Sequence, residues 1–170
     1  MKQIEQITIS SPDVGRCNSF IYCLYITDPE GVVYIGETGA RNGILGRLSN
    51  HMTKGEGTFI RKCYEKKNIN LDEINGNIHM IAFNLKEYPD LCGDVNRPNR
   101  RALEYFVQNK LEEYSVAEST IIPYDVVSWV RIAQRFALNE NYIRIAEEVA
   151  DTFYAKLPFT KNLFSGKVCL

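Results

Sequence analysis

The chain has 170 residues, of which 45% are hydrophobic and 24% charged, and its formal net charge is −1. This is an ordinary soluble globular composition, enough for one domain or for a core with a small extension. It excludes a membrane protein of the helical kind, since no stretch reaches the ~18 apolar residues of a span.

The opening Met1-Lys2-Gln3-Ile4-Glu5 does not read as a secretory signal, so the expected location is cytoplasmic. The cysteines, Cys17, Cys23, Cys63, Cys92 and Cys169, are odd in number and form no CxxC pair. They read as reduced thiols rather than a zinc site or a disulfide framework.

In chain order, QITIS is a possible short strand ahead of a turn-rich lead-in. Two β-rich runs, FIYCLYI (about 20–27) and VVYIGE (about 32–37), then flank Asp28-Pro29-Glu30-Gly31. Proline presets a turn angle and glycine permits positive φ, so the signal is a hairpin. Symmetric closure about Pro29 places Tyr22 opposite Gly36 and Leu24 opposite Tyr34, with Tyr22 and Tyr34 as diagonal neighbours on one face.

A helix is expected over about 43–53, with Asn42 as its cap. There Arg47 and His51 stand four residues apart, on one helix face. Thr58 opens a second helix through FIRKCYEKK. IHMIAFNL, about 78–85, is a third strand whose near-continuous apolar run suggests a central place in the sheet.

Asn99 caps a helix of about Arg100–Tyr114, with Ala102, Leu103, Phe106, Val107 and Leu111 on one arc and Glu104 at its edge. Beyond Ser115, TIIPYDVVSWVRIAQRFAL and ENYIRIAEEVADTFYAKL read as two helices, the second capped by Asn139. The expected fold class is α+β: a small three-stranded, mostly antiparallel sheet flanked by helices. Residues 1–115 form the core, and 116–170 form a helical extension that packs on it or mediates self-association.

Charge is unevenly spread. From Arg41 to Lys67, seven basic residues face two acids, and Arg97, Arg100 and Arg101 add a second basic cluster. From Glu112 to Asp151 the balance reverses, eight acids against three arginines. A basic side on a nearly neutral chain suits phosphate binding, and Arg41, Lys54, Arg61, Lys62, Arg100 and Arg101 are the candidate nucleic-acid contacts.

Phe20-Ile21-Tyr22, Tyr34-Ile35-Gly36, the Arg47/His51 pair and a helical Glu104 together resemble the GIY-YIG nuclease family over roughly residues 18–115. The resemblance implies a DNA endonuclease that uses Mg²⁺ or Mn²⁺. It implies Tyr22, Tyr34, Arg47, His51 and Glu104 as the catalytic set, with Glu104 as metal ligand. Phe20 stands where the family usually has glycine, and the family's asparagine beyond the glutamate has no counterpart in EEYSVAES.

A phenol of pKa near ~10 is a poor base unless cations lower it, and Arg47 with a metal can do so for Tyr22. His51, with an ordinary pKa near ~6.5, is the competing base. The expected partners are DNA and, for a palindromic restriction-type cutter, a second copy in a homodimer. A repair or mobile-element nuclease and a non-catalytic nucleic-acid-binding module are the alternatives.

Overall fold

The computed structural model describes residues 19–27, 31–53, 55–56, 58–70, 77–116, 124–130 and 140–158. The lead-in with QITIS, the turn residues 28–30, Lys54, the Asn139 cap and the tail from 159 lie outside the described residues. The elements are β1 (Phe20–Ile26), β2 (Gly31–Thr38), α1 (Gly43–His51), α2 (Phe59–Lys67), β3 (His79–Asn84), α3 (Arg97–Ser115), β4 (Tyr124–Val126) and α4 (Glu140–Tyr154). Short 3₁₀ turns at Pro89–Leu91 and Asp94–Asn96 lead into α3.

The fold is α+β with a four-stranded mixed sheet in the order β3-β1-β2-β4, not three antiparallel strands. The hairpin has the expected register, Tyr22 opposite Gly36 and Leu24 opposite Tyr34. The added strand falls within the run expected to be helical. Tyr124–Val126 pairs parallel to Gly31–Val33, and Val127–Val130 continues without helix. Over a short apolar run such as Tyr-Asp-Val-Val, helical and strand periods cannot be told apart, and the unpaired edge of β2 decides the outcome.

The second correction concerns β3, which pairs only with β1 and is an edge strand rather than a central one. Its residues are half-buried or exposed, because its apolar run lies at the margin of both layers.

Period-2 alternation along β1 and β2 divides the interior in two. Ile21, Cys23, Val33 and Ile35 face α3 and α4, where Leu103, Val107, Val149 and Phe153 close over them. Leu24, Val32, Tyr22 and Tyr34 face α1 and α2, against Ile44, Phe59 and Cys63. The α4 stripe is therefore packing surface for the core. Cys23, Cys63 and Cys92 are free thiols, and no helix among the described residues is long and apolar enough to cross a membrane.

The helix starts differ from expectation in two places. α3 begins after Asn96, not Asn99, because Pro98 is accepted in a first turn where its missing N–H costs nothing. Asn42 stands at the start of α1 but makes no side-chain capping bond, whereas Thr58 caps α2 by accepting from the Arg61 N–H. Phe153 is wholly buried, so Phe153→Ala is expected to cost about 3–5 kcal/mol in urea unfolding. A loss below about 1 kcal/mol would mean that α4 is not docked as described.

Candidate active site

Tyr22 and Tyr34 rise from adjacent strands on the α1 side of the sheet, their ring centroids 6.5 Å apart. Tyr22 lies across the backbone of Gly36, where an added Cβ would stand 2.2 Å from its phenolic oxygen. That position admits glycine only, which accounts for the third residue of Tyr-Ile-Gly. From α1, the Arg47 Nε–H donates to the Tyr22 oxygen at 3.0 Å, and His51 Nε2 meets the same oxygen at 2.6 Å.

The proton on His51 can be assigned from its other nitrogen. Nδ1 accepts the Phe59 backbone N–H at 2.9 Å, so Nδ1 carries no hydrogen. A neutral imidazole then bears its proton on Nε2 and donates it to Tyr22. Burial, followed by the charge of Arg47, pushes the His51 pKa down to about 4, which keeps the ring neutral at pH 7. His51 is thus a donor that steadies Tyr22, and it is not placed to take a proton from water.

Tyr22 is completely buried. Burial and the neighbouring charge of Tyr34 raise its pKa, while Arg47 acts in the opposite sense and is outweighed. Burial and the charge of Glu104 likewise raise Tyr34 to about 12.

Glu104 belongs to the other layer, on α3. The two layers meet because β4 is short. Its ladder stops at Val33, which leaves the outer edge of β2 open from Gly36 onward among the described residues. A polar cavity of about 240 Å³ opens at that edge, lined by Glu37, Arg47, Arg97, Arg101, Glu104 and Val130. Trp129, just before Val130, is 63% exposed.

Glu104 is only 9% exposed and has no hydrogen-bond partner among the described residues. Burial first, then the charge of Glu37, raises its pKa to about 8 against the pull of Arg101, Arg47 and Arg97. A second cavity, of about 270 Å³, shares Glu37, Arg47 and Arg97 with the first and extends over Asn42, Gly46 and Asn50 of α1 to Asp94.

Of the candidate nucleic-acid contacts among the described residues, only Arg101 lines either cavity through an exposed side chain. Arg100 is a correction: it is 1% exposed, its Nε donates to Glu37 at 2.8 Å, and one terminal nitrogen donates to the Leu91 and Gly93 carbonyls. Burial against the end of β2 makes it a structural cation. Arg61 and Lys62 are both paired to Glu65 on the surface of α2, and Arg41 is exposed beside α1.

Sequence reasoning left two cleft residues unassigned. Arg97 has a side chain 69% exposed and reaches Glu37 at 3.3 Å. Glu37 follows Gly36 directly, and strand alternation turns it toward α3. Its place after Tyr-Ile-Gly was the available signal.

No group of three or more His, Cys, Asp or Glu placed to hold a metal occurs among the described residues. Comparison with protein-family models, with curated proteins and with solved structures returned no match.

Two expectations follow. In ¹H–¹⁵N spectra at pH 7, His51 should appear as the neutral Nε2–H tautomer; an Nδ1–H ring would reverse the assigned hydrogen bond. The second concerns stability. Because its pKa is raised to about 8, the folded chain holds the Glu104 proton more firmly than the unfolded chain, so stability falls as pH rises through that value.

His51 acts with the opposite sign, its pKa being lowered to about 4, and its contribution is complete above its ordinary value of 6.5. Between about pH 6.5 and 8 in EDTA, stability should drop by on the order of 2 kcal/mol, and Glu104→Gln should flatten the profile. Parallel urea-unfolding profiles for the two proteins would contradict this.

Proposed function

We propose that the chain is a metal-dependent DNA endonuclease of the GIY-YIG type, acting in the manner of a restriction enzyme. The observation that carries this reading is the convergence of one hydrogen-bonded cluster, Tyr22–His51–Arg47, on a cleft where Arg47 and Glu104 face the same cavity. Three guanidiniums against two carboxylates give that cavity a net positive lining, suited to a phosphodiester.

Glu104 fits a divalent cation, as a buried carboxylate without a hydrogen-bond partner facing a polar cavity. One or two carboxylates with waters and phosphate oxygens suit Mg²⁺ or Mn²⁺. Bound there, the ion supplies polarisation of the phosphate and relief of charge on the leaving oxygen.

Arg47 keeps its Nε on Tyr22 and offers its terminal N–H groups to a non-bridging oxygen. Arg97 and Arg101 hold neighbouring phosphates. Tyr22 is the proposed base. It acts as a phenolate, its proton lost to solvent before the step; the two N–H donors aimed at its oxygen then give the phenolate two hydrogen bonds, one from a cation, against the burial that raises its pKa. Two such centres in a homodimer would serve a palindromic site.

The complete burial of Tyr22 favours a second reading, a nucleic-acid-binding module with the same fold and no cutting activity. A plasmid nicking and linearisation assay in Mg²⁺ or Mn²⁺ separates the two. The nuclease should give metal-dependent products, with Glu104→Ala and Tyr22→Phe each slower by at least about 100-fold while DNA binding is kept. Binding without cutting by the wild type would establish the second reading, and near-normal cutting by Tyr22→Phe would remove that residue as base.

A further inference from the structure

We propose that the 270 Å³ cavity beside the Glu104 cleft is a subsite for one nucleobase, turned out of the stack next to the bond being cut. The proposal rests on the nuclease reading above and adds to it how a particular base is chosen.

The cavity is built around one face of α1. Asn42, Gly46 and Asn50 succeed one another at intervals of four residues, so they line up along the helix with the glycine between two amides. Gly46 is needed for this arrangement. A Cβ there would meet the Asn42 Cβ at 2.5 Å, so its absence lets Asn42 lie down along the helix.

Asn42 also forgoes the usual task of an asparagine at a helix start. Its backbone, at φ −84 and ψ 8, is not in the extended geometry that capping requires, and its side chain accepts no helix N–H. Thr58, at φ −79 and ψ 161, does cap its helix. Neither Asn42 nor Asn50 makes a side-chain hydrogen bond among the described residues, and Asp94 opposite them has neither a hydrogen-bond nor an ion-pair partner for its carboxylate.

Two amides and a carboxylate, all exposed to solvent, therefore line a concave space with no partner of their own among the described residues. Arg47, Arg97 and Glu37 form the wall shared with the cleft, so a phosphate at Glu104 and a base over Gly46 can belong to adjoining nucleotides. The volume lies just below the roughly 300–1,000 Å³ of pockets for drug-sized ligands, a size for one base and not for a base pair.

The ligand class follows from the donors and acceptors. An amide can pair with a donor and an acceptor on one base edge, as asparagine does with adenine, whereas a carboxylate only accepts. Asp94 therefore favours a base with an exocyclic amino group and disfavours thymine, whose one donor, N3–H, is flanked by two carbonyl oxygens that repel a carboxylate. Turning a base into a pocket costs unstacking, which the hydrogen bonds within the subsite offset.

The test is cleavage of a randomised duplex library by the full chain with Mn²⁺, followed by sequencing of the cut ends. Thymine should be depleted about fivefold or more at one position beside the cut, in line with the discrimination of a well-formed base contact. Asn42→Ala and Asn50→Ala should bring the base frequencies there toward those of the uncut library, whatever their absolute rate. Asp94→Asn, which restores a donor, should relieve the exclusion of thymine, a change that misfolding cannot produce. Cut ends with library frequencies at every flanking position would overturn the subsite and leave the nuclease standing. An absence of cut ends would overturn the nuclease reading and the subsite with it.

Discussion

The pairing of Arg100 with Glu37 positions the rest of the site. Both side chains are almost withdrawn from solvent, and the guanidinium is further held by the carbonyls of Leu91 and Gly93. Such a pair adds little stability over apolar packing of the same shape, but losing one partner leaves a buried charge uncompensated. Its geometric effect is larger. Arg97, Arg100, Arg101 and Glu104 succeed one another at helical intervals, so tying Arg100 to β2 sets the rotation of α3 that brings the other three to the cleft.

The central hairpin was legible because its cues are local. Two-residue alternation and a proline–glycine turn fix which residues face each other, and Tyr22, Gly36 and Tyr34 follow without long-range information. Arg47 and His51 were legible for the same reason, one helix turn apart. Glu104 was legible by its place at the border of an apolar arc.

The parts that escaped depend on tertiary context. β4 exists because β2 has an edge to offer, and β3 is an edge strand because no described strand lies beyond it. Arg100 and Arg101 are adjacent in sequence, yet one is a buried tether and the other lines the cleft. A step of about 100° around a helix separates those fates, and only the packed sheet shows which way the helix is turned.

Burial gives the cluster its resting state. Glu104 carries a proton through much of the neutral range, Tyr22 remains a phenol, and His51 remains uncharged. The ligand-free cleft thus holds its arginines without a full complement of opposing charge. A polyanion entering it is met by cations that a protonated Glu104 does not offset.

The exposure of Trp129 has an optical consequence. It is the chain's single tryptophan, and it directly precedes a residue of the cleft wall. Excited at the red edge of the aromatic band, the protein therefore emits from one position alone, beside the Glu104 cavity. Its colour and its access to quenchers report on that neighbourhood with no label attached.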